Sequence, residues 1–102
     1  MGPWIVEADD LDGQNLDISL ELNGKVVQSS NTRHMIFNNP RIISYISHHI
    51  TLEPGDLIFT GTPEGVILGQ KPEEQNWLTA GDRMDVHIQG IGSLTNYFAK
   101  RA

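Results

Sequence analysis

Leu57-Ile58-Phe59-Thr60-Gly61-Thr62-Pro63-Glu64-Gly65-Val66 is the stretch on which the reading of this chain turns. Its apolar start is expected to form a strand that runs into Thr-Gly-Thr-Pro and a second glycine. The glycines permit a sharp turn and a close approach of backbone to a ligand. The threonines would then set hydroxyls and amides at the strand's end, where a carboxylate or carbonyl oxygen can be held. Residue chemistry by itself favours a plainer turn, because threonine can satisfy its own backbone in such surface connections.

On the N-terminal side, Leu52-Glu53-Pro54-Gly55-Asp56 is a turn whose aspartate can bond the local backbone. Leu78-Thr79-Ala80-Gly81-Asp82 repeats that pattern before Met84–Ile88, so the two read as hairpin corners of one β-rich roll. Residues 3–6 read as an extended lead-in, and 7–15 as a polar, acidic turn region. Ile18, Leu20 and Leu22 alternate with polar residues, which predicts a half-buried strand. Asn23-Gly24 supplies the two positive-φ residues of a type I′ turn, so a hairpin continues into Val26-Val27. Asn38 or Asn39 can cap a helix that starts at Pro40 and runs to about His49, with Ile42, Ile43, Ile46 and Ile50 as its apolar stripe. A last strand, Ser93 to Phe98, follows the Gly90-Ile91-Gly92 kink. The pattern is mainly β with one helix, an α+β domain.

A chain of 102 residues is at most one small domain, and a hydrophobic fraction of 38% is ordinary for a globular protein. Thirteen acidic against seven basic residues leave a net charge of −6, a poor surface for a phosphate backbone, so no nucleic-acid partner is expected. No apolar run is long enough to span a bilayer, and no membrane partner is expected. The absence of cysteine removes disulfides and thiolate metal sites and permits a cytoplasmic location.

Several motifs fail on inspection. His48 and His49 are helical neighbours whose side chains diverge by about 100°, and no histidine pair has metal-site spacing. An EF-hand loop begun at Asp10 would need glycine where Asn15 stands. Gly90-Ile91-Gly92 lacks the third glycine and the helix of a dinucleotide site. No serine, histidine and aspartate occupy a recognisable nucleophile elbow. Asn31-Thr32-Arg33-His34-Met35-Ile36-Phe37 is an active-site or subunit-contact loop on one reading. The favoured reading is a structural loop that Met35, Ile36 and Phe37 anchor in the core.

Five motifs in fixed order resemble the fumarylacetoacetate hydrolase (FAH) family: Gly2-Pro3-Trp4, Asn31 to Phe37, Leu52 to Asp56, Thr60-Gly61-Thr62-Pro63, and Gly90 to Asn96. Together they cover nearly the whole chain but only the C-terminal half of that family's catalytic domain. The resemblance implies a mixed β-sandwich roll, truncated, with residues 1–102 a partial catalytic domain. It implies an enzyme, hydrolase, isomerase or decarboxylase, acting on small 2-oxo, 2-hydroxy-dienoate or β-diketo acids in aromatic-compound catabolism. Such chemistry uses Mg2+ or Mn2+ to stabilise an enolate. Thr62 is implied to hold a substrate oxygen, with Gly61 giving close backbone approach and Thr60 beside them. The family's acidic ligands, lysine and His/Glu pair lie upstream of Gly-Pro-Trp, hence upstream of Met1, so the chain carries no catalytic or metal-binding residue of its own on this reading. A homo-oligomer, a dimer or larger, is expected.

Met1 fits the family's Pro-Met-Gly-Pro-Trp context, which implies a truncated gene, a misassigned start or one piece of a larger enzyme. Residues 67–77 read as an insertion over the substrate site or against a neighbouring subunit. The alternative is a non-catalytic β-roll remnant that keeps an assembly or ligand-binding surface. An in-frame upstream segment carrying the acidic ligands would favour the enzyme.

Overall fold

The computed structural model describes residues 1–101. Strands β1 (Asp17–Leu22), β2 (Lys25–Asn31), β3 (Arg83–Ile88) and β4 (Gly92–Tyr97) form one antiparallel sheet in the order β2-β1-β3-β4. Helix α1 (Asn39–Ser47) follows β2 after a 3-10 turn, Thr32–His34. Two further 3-10 turns, Ile67–Gly69 and Pro72–Glu74, occupy the long connection before β3. This is a small α+β domain with one helix, as the pattern of elements suggests.

The first hairpin follows from its turn residues. Asn23 and Gly24 both take positive φ, 52° and 80°, as a two-residue type I′ turn requires, and Leu22 pairs with Lys25 across it. Asn23 also fastens the turn to the next strand. Its Nδ2 donates to Asp82 Oδ1 at 2.9 Å, and its Oδ1 accepts from the Arg83 amide at 2.9 Å. The register of β2 slips between Leu20 and Glu21, leaving Val27 as the extra residue of a bulge.

Alternation gives the sheet two chemistries. Ile18, Leu20 and Leu22 stand opposite Ile88, Val86 and Met84, and Leu94 extends that apolar face onto β4. Ser19, His87 and Ser93 share the other face with Glu21, Asp85 and Thr95. Trp4 packs against Gly92 and donates its indole N–H to the Ile91 carbonyl. Even so, Leu16 is the one apolar residue classed as buried among those described. The apolar face is half covered.

Helix α1 is capped by Asn38, whose side chain accepts from the Arg41 amide at 3.0 Å, and it is spent at Ser47 rather than His49. Ile42 and Ile46 are half-buried, whereas Ile43 and Ile50 are exposed, so the apolar stripe is narrower in use than in sequence.

Two expectations need correction. Residues 57–60 form no strand among the described residues; Leu57 and Phe59 are exposed, Phe59 by 87%. A strand exists only where its N–H and C=O groups find a partner, and none of the four strands pairs with this segment. The loop after β2 is likewise not anchored by Ile36 and Phe37, which are 92% and 51% exposed. Its anchors are polar. Asn31, 8% exposed, donates to Asp17 Oδ1 at 2.8 Å and accepts from the Arg33 amide at 2.9 Å. Leu16 and Thr32 bond each other twice, through the Thr32 amide and the Thr32 hydroxyl.

Candidate functional site

Thr60, Gly61 and Thr62 lie together on one exposed turn, and Gly61 adopts φ 97° with open space where a Cβ would stand. Because residues 57–60 pair with no strand, something else must fix that turn. It is held from β2. Gln28 Nε2 donates to Thr62 Oγ1 at 2.9 Å, to the Pro63 carbonyl at 2.9 Å and to the Glu64 carbonyl at 3.1 Å.

Gly65 completes the contact. Its φ is 103°, and an added Cβ would stand 2.2 Å from the Val27 carbonyl oxygen, well inside contact distance. Only glycine allows the turn to lie this close to the bulged edge of β2. Gln28 and Gly65 also line a groove of about 890 Å³ that runs beneath residues 65–78, with Leu20, Leu22, Val27 and Met84 in its wall. Thr60, Gly61 and Thr62 do not line it. This groove and the hydroxyl turn are neighbours, not one site.

The polar sheet face gathers other groups. Asp85, 7% exposed, accepts from the Thr95 hydroxyl and pairs with Arg83, whose Nε lies 2.9 Å from its Oδ2. The Thr95 hydrogen bond first, and Arg83 after it, hold the Asp85 carboxyl below the usual carboxylate range. His87 Nδ1 meets the Ser93 hydroxyl across the strands. No hydrogen bond joins that imidazole to Asp85 among the described residues, so the three do not form a relay. Nor do three His, Asp or Glu side chains gather anywhere among the described residues as a metal site would need.

Sequence reasoning passed over Gln28. Its partners stand 34 to 36 residues away, and nothing local to Val27-Gln28-Ser29 marks it. The signal that existed was the Pro63-Glu64-Gly65 run, whose glycine implies an approach to some backbone.

The Fumarylacetoacetate (FAA) hydrolase C-terminal family description matches residues 1–99. The chain belongs to that family. Over 94 residues it is 49% identical to the 2,4-didehydro-3-deoxy-L-rhamnonate hydrolase of Sphingomonas sp. SKA58, covering 91% of this chain and 33% of that protein. The fumarylacetoacetate hydrolase of psychrophilic Exiguobacterium antarcticum superimposes with a TM-score of 0.92 at 41% identity, over 98% of this chain and 35% of that one. A maleylpyruvate hydrolase from Sphingobium sp. SYK-6, solved with manganese(II) and pyruvate, gives 0.86 at 35% identity, over 99% and 35%. The chain therefore spans about a third of the length of these relatives. Among the described residues no helix is long and apolar enough to cross a membrane.

Proposed function

We propose that this chain is the substrate-oxygen-holding part of an FAH-family enzyme that cleaves or isomerises small 2-oxo, dienoate or β-diketo acids. The observation that carries the reading is the Thr60–Gly65 turn, which offers an exposed threonine hydroxyl held from β2 by Gln28. A neutral hydroxyl can orient a carboxylate or carbonyl oxygen without burying a second charge. Thr62 binds and orients, Gly61 keeps the approach clear of side-chain atoms, and Thr60 stands beside them. The relative's manganese and pyruvate support a divalent ion and a small acid for the whole protein. The residues of this chain do not fit such an ion, since no three candidate ligands come together among those described.

Thr62→Val in the whole protein tests the reading. Valine keeps the shape and β-branching and removes the donor, so stability should scarcely change. A hydrogen bond to a charged oxygen is worth roughly 1.5–3 kcal/mol, so kcat/KM should fall about ten- to hundredfold. Thr60→Val is the control, with a smaller loss. A folded Thr62→Val protein with full efficiency on a good substrate would leave the turn without this role.

A further inference from the structure

We infer that Gln28 is a positioning residue: it fixes the Thr60–Gly65 turn and occupies a lone pair of Thr62 Oγ1, so the hydroxyl proton is left to be donated outward to a ligand oxygen. The inference rests on the proposed role of Thr62.

The polarity of the contact follows from its partners. The Pro63 and Glu64 carbonyls, at 2.9 and 3.1 Å, can accept hydrogen bonds and cannot donate them. The nitrogen end of the Gln28 amide must therefore face the turn. That nitrogen has no lone pair free to take a proton, and its two N–H groups are shared among three acceptors, so Thr62 Oγ1, at 2.9 Å, accepts as one arm of a three-centre hydrogen bond. A threonine hydroxyl has one proton and two lone pairs. Gln28 uses a lone pair and leaves the proton, and no other protein group among the described residues bonds that oxygen. Had a carbonyl stood where Nε2 stands, the proton would be drawn inward and the hydroxyl would meet a ligand carboxylate with lone pairs.

Two features, one on β2 and one on the turn, make the reach possible. The bulge at Val27 bends the edge strand beside Gln28 and re-aims the side chains next to it. Gly65 then seats the turn directly over the Val27 carbonyl, where any side chain would collide. A bulge at 27, a donor at 28 and a glycine at 65 together form one device that orients a hydroxyl 34 residues away.

The test uses the 15N-labelled chain in four forms: wild type, Gln28→Leu, Thr62→Val and the double variant. Pyruvate affinity is measured by NMR titration, and amide hydrogen exchange is followed for residues 60–65 against β1 and β3. Each single variant should weaken pyruvate binding about tenfold, and the double variant should be no weaker than Thr62→Val, because Gln28 acts through that hydroxyl. If Gln28→Leu costs as much again in the Thr62→Val background, Gln28 merely stiffens the turn and the inference fails. It also fails if Gln28→Leu binds pyruvate as wild type does while Thr62→Val does not. If wild type binds and Thr62→Val binds equally well, the role of Thr62 is what fails; if no form binds, the isolated chain lacks what the ligand needs and exchange alone decides the inference. Exchange then decides the positioning: turn amides at least tenfold faster in Gln28→Leu, with β1 and β3 unchanged, sustain it, and unchanged exchange overturns it.

Discussion

Asp82 and Asp85 flank Arg83 and Met84 and bond to different groups, yet acid should act on both alike. The Thr79 amide, then the Asn23 side chain, hold the Asp82 carboxyl below its ordinary range. The Thr95 hydroxyl, then Arg83, do so for Asp85. A carboxyl whose folded pKa is depressed contributes stability that is fully present above its unfolded pKa, about 3.9 for aspartate, and is lost as pH falls through the folded value. Both contributions are therefore intact at neutral pH and disappear below about pH 4. Carboxyl 13C shifts followed through an acid titration check this directly: Asp82 and Asp85 should titrate at lower pH than an unperturbed aspartate. Asn23→Gly, which keeps the positive φ of the turn but removes a donor, should move the Asp82 midpoint upward and leave Asp85 where it was. A midpoint for Asp82 unmoved by that substitution would show that Asn23 only turns the chain.

Among the elements, α1 is the one that depends most on its end. It has nine residues, shorter than the length at which an isolated helix holds in water. Ile42 and Ile46 are only half-buried, so packing adds less than usual. The Asn38 cap then carries an unusual share. Asn38→Ala should cost about 0.5–2 kcal/mol, seen as a loss of ellipticity at 222 nm and a lower midpoint, with the β1–β2 hairpin unaffected by NMR. The cap was legible to within one residue, Asn38 or Asn39, with the helix starting at Asn39 rather than at Pro40; the Asn23-Gly24 turn and the two aspartate turns were legible too, because each is written within four residues. Glu53 and Thr79 both donate their amides to the aspartate three residues on, at 2.8 and 2.7 Å, so the repeated pattern does give one repeated geometry. The misreadings share a cause. Leu57–Thr60 has a strand's composition, but a strand needs a partner, and composition does not supply one. Ile36 and Phe37 look like core residues, yet a core needs a second layer. Gln28, the most informative residue of the site, looks in the sequence like any polar residue on an edge strand.

At the scale of the whole molecule the chain is under-packed for its mass. Its accessible surface is 8361 Å², against about 5,800 Å² for a compact monomer of 11.4 kDa. The radius of gyration is 15.8 Å, where about 13 Å would be ordinary. An excess of about 2,600 Å² on one chain is well above the roughly 800 Å² per partner of a standard interface and belongs with the large, obligate class. Much of it is apolar: Ile36, Phe59 and Leu68 are each at least three-quarters exposed. Surface of that kind marks a face made to be covered, and among the described residues β2 and β4 leave outer edges with no strand beside them. In the relatives, the chain corresponds to about a third of the length, so other parts of a whole enzyme could supply the cover. The isolated chain has only copies of itself. Multi-angle light scattering should therefore find a homodimer or larger species, and amides of α1 and of residues 57–60 should gain exchange protection as concentration rises. Dilution should reverse both and raise the fluorescence of a hydrophobic dye, since association buries what the monomer exposes. A well-dispersed monomer that binds no dye at every concentration would mean that the chain covers its apolar face by itself, in an arrangement more compact than this one.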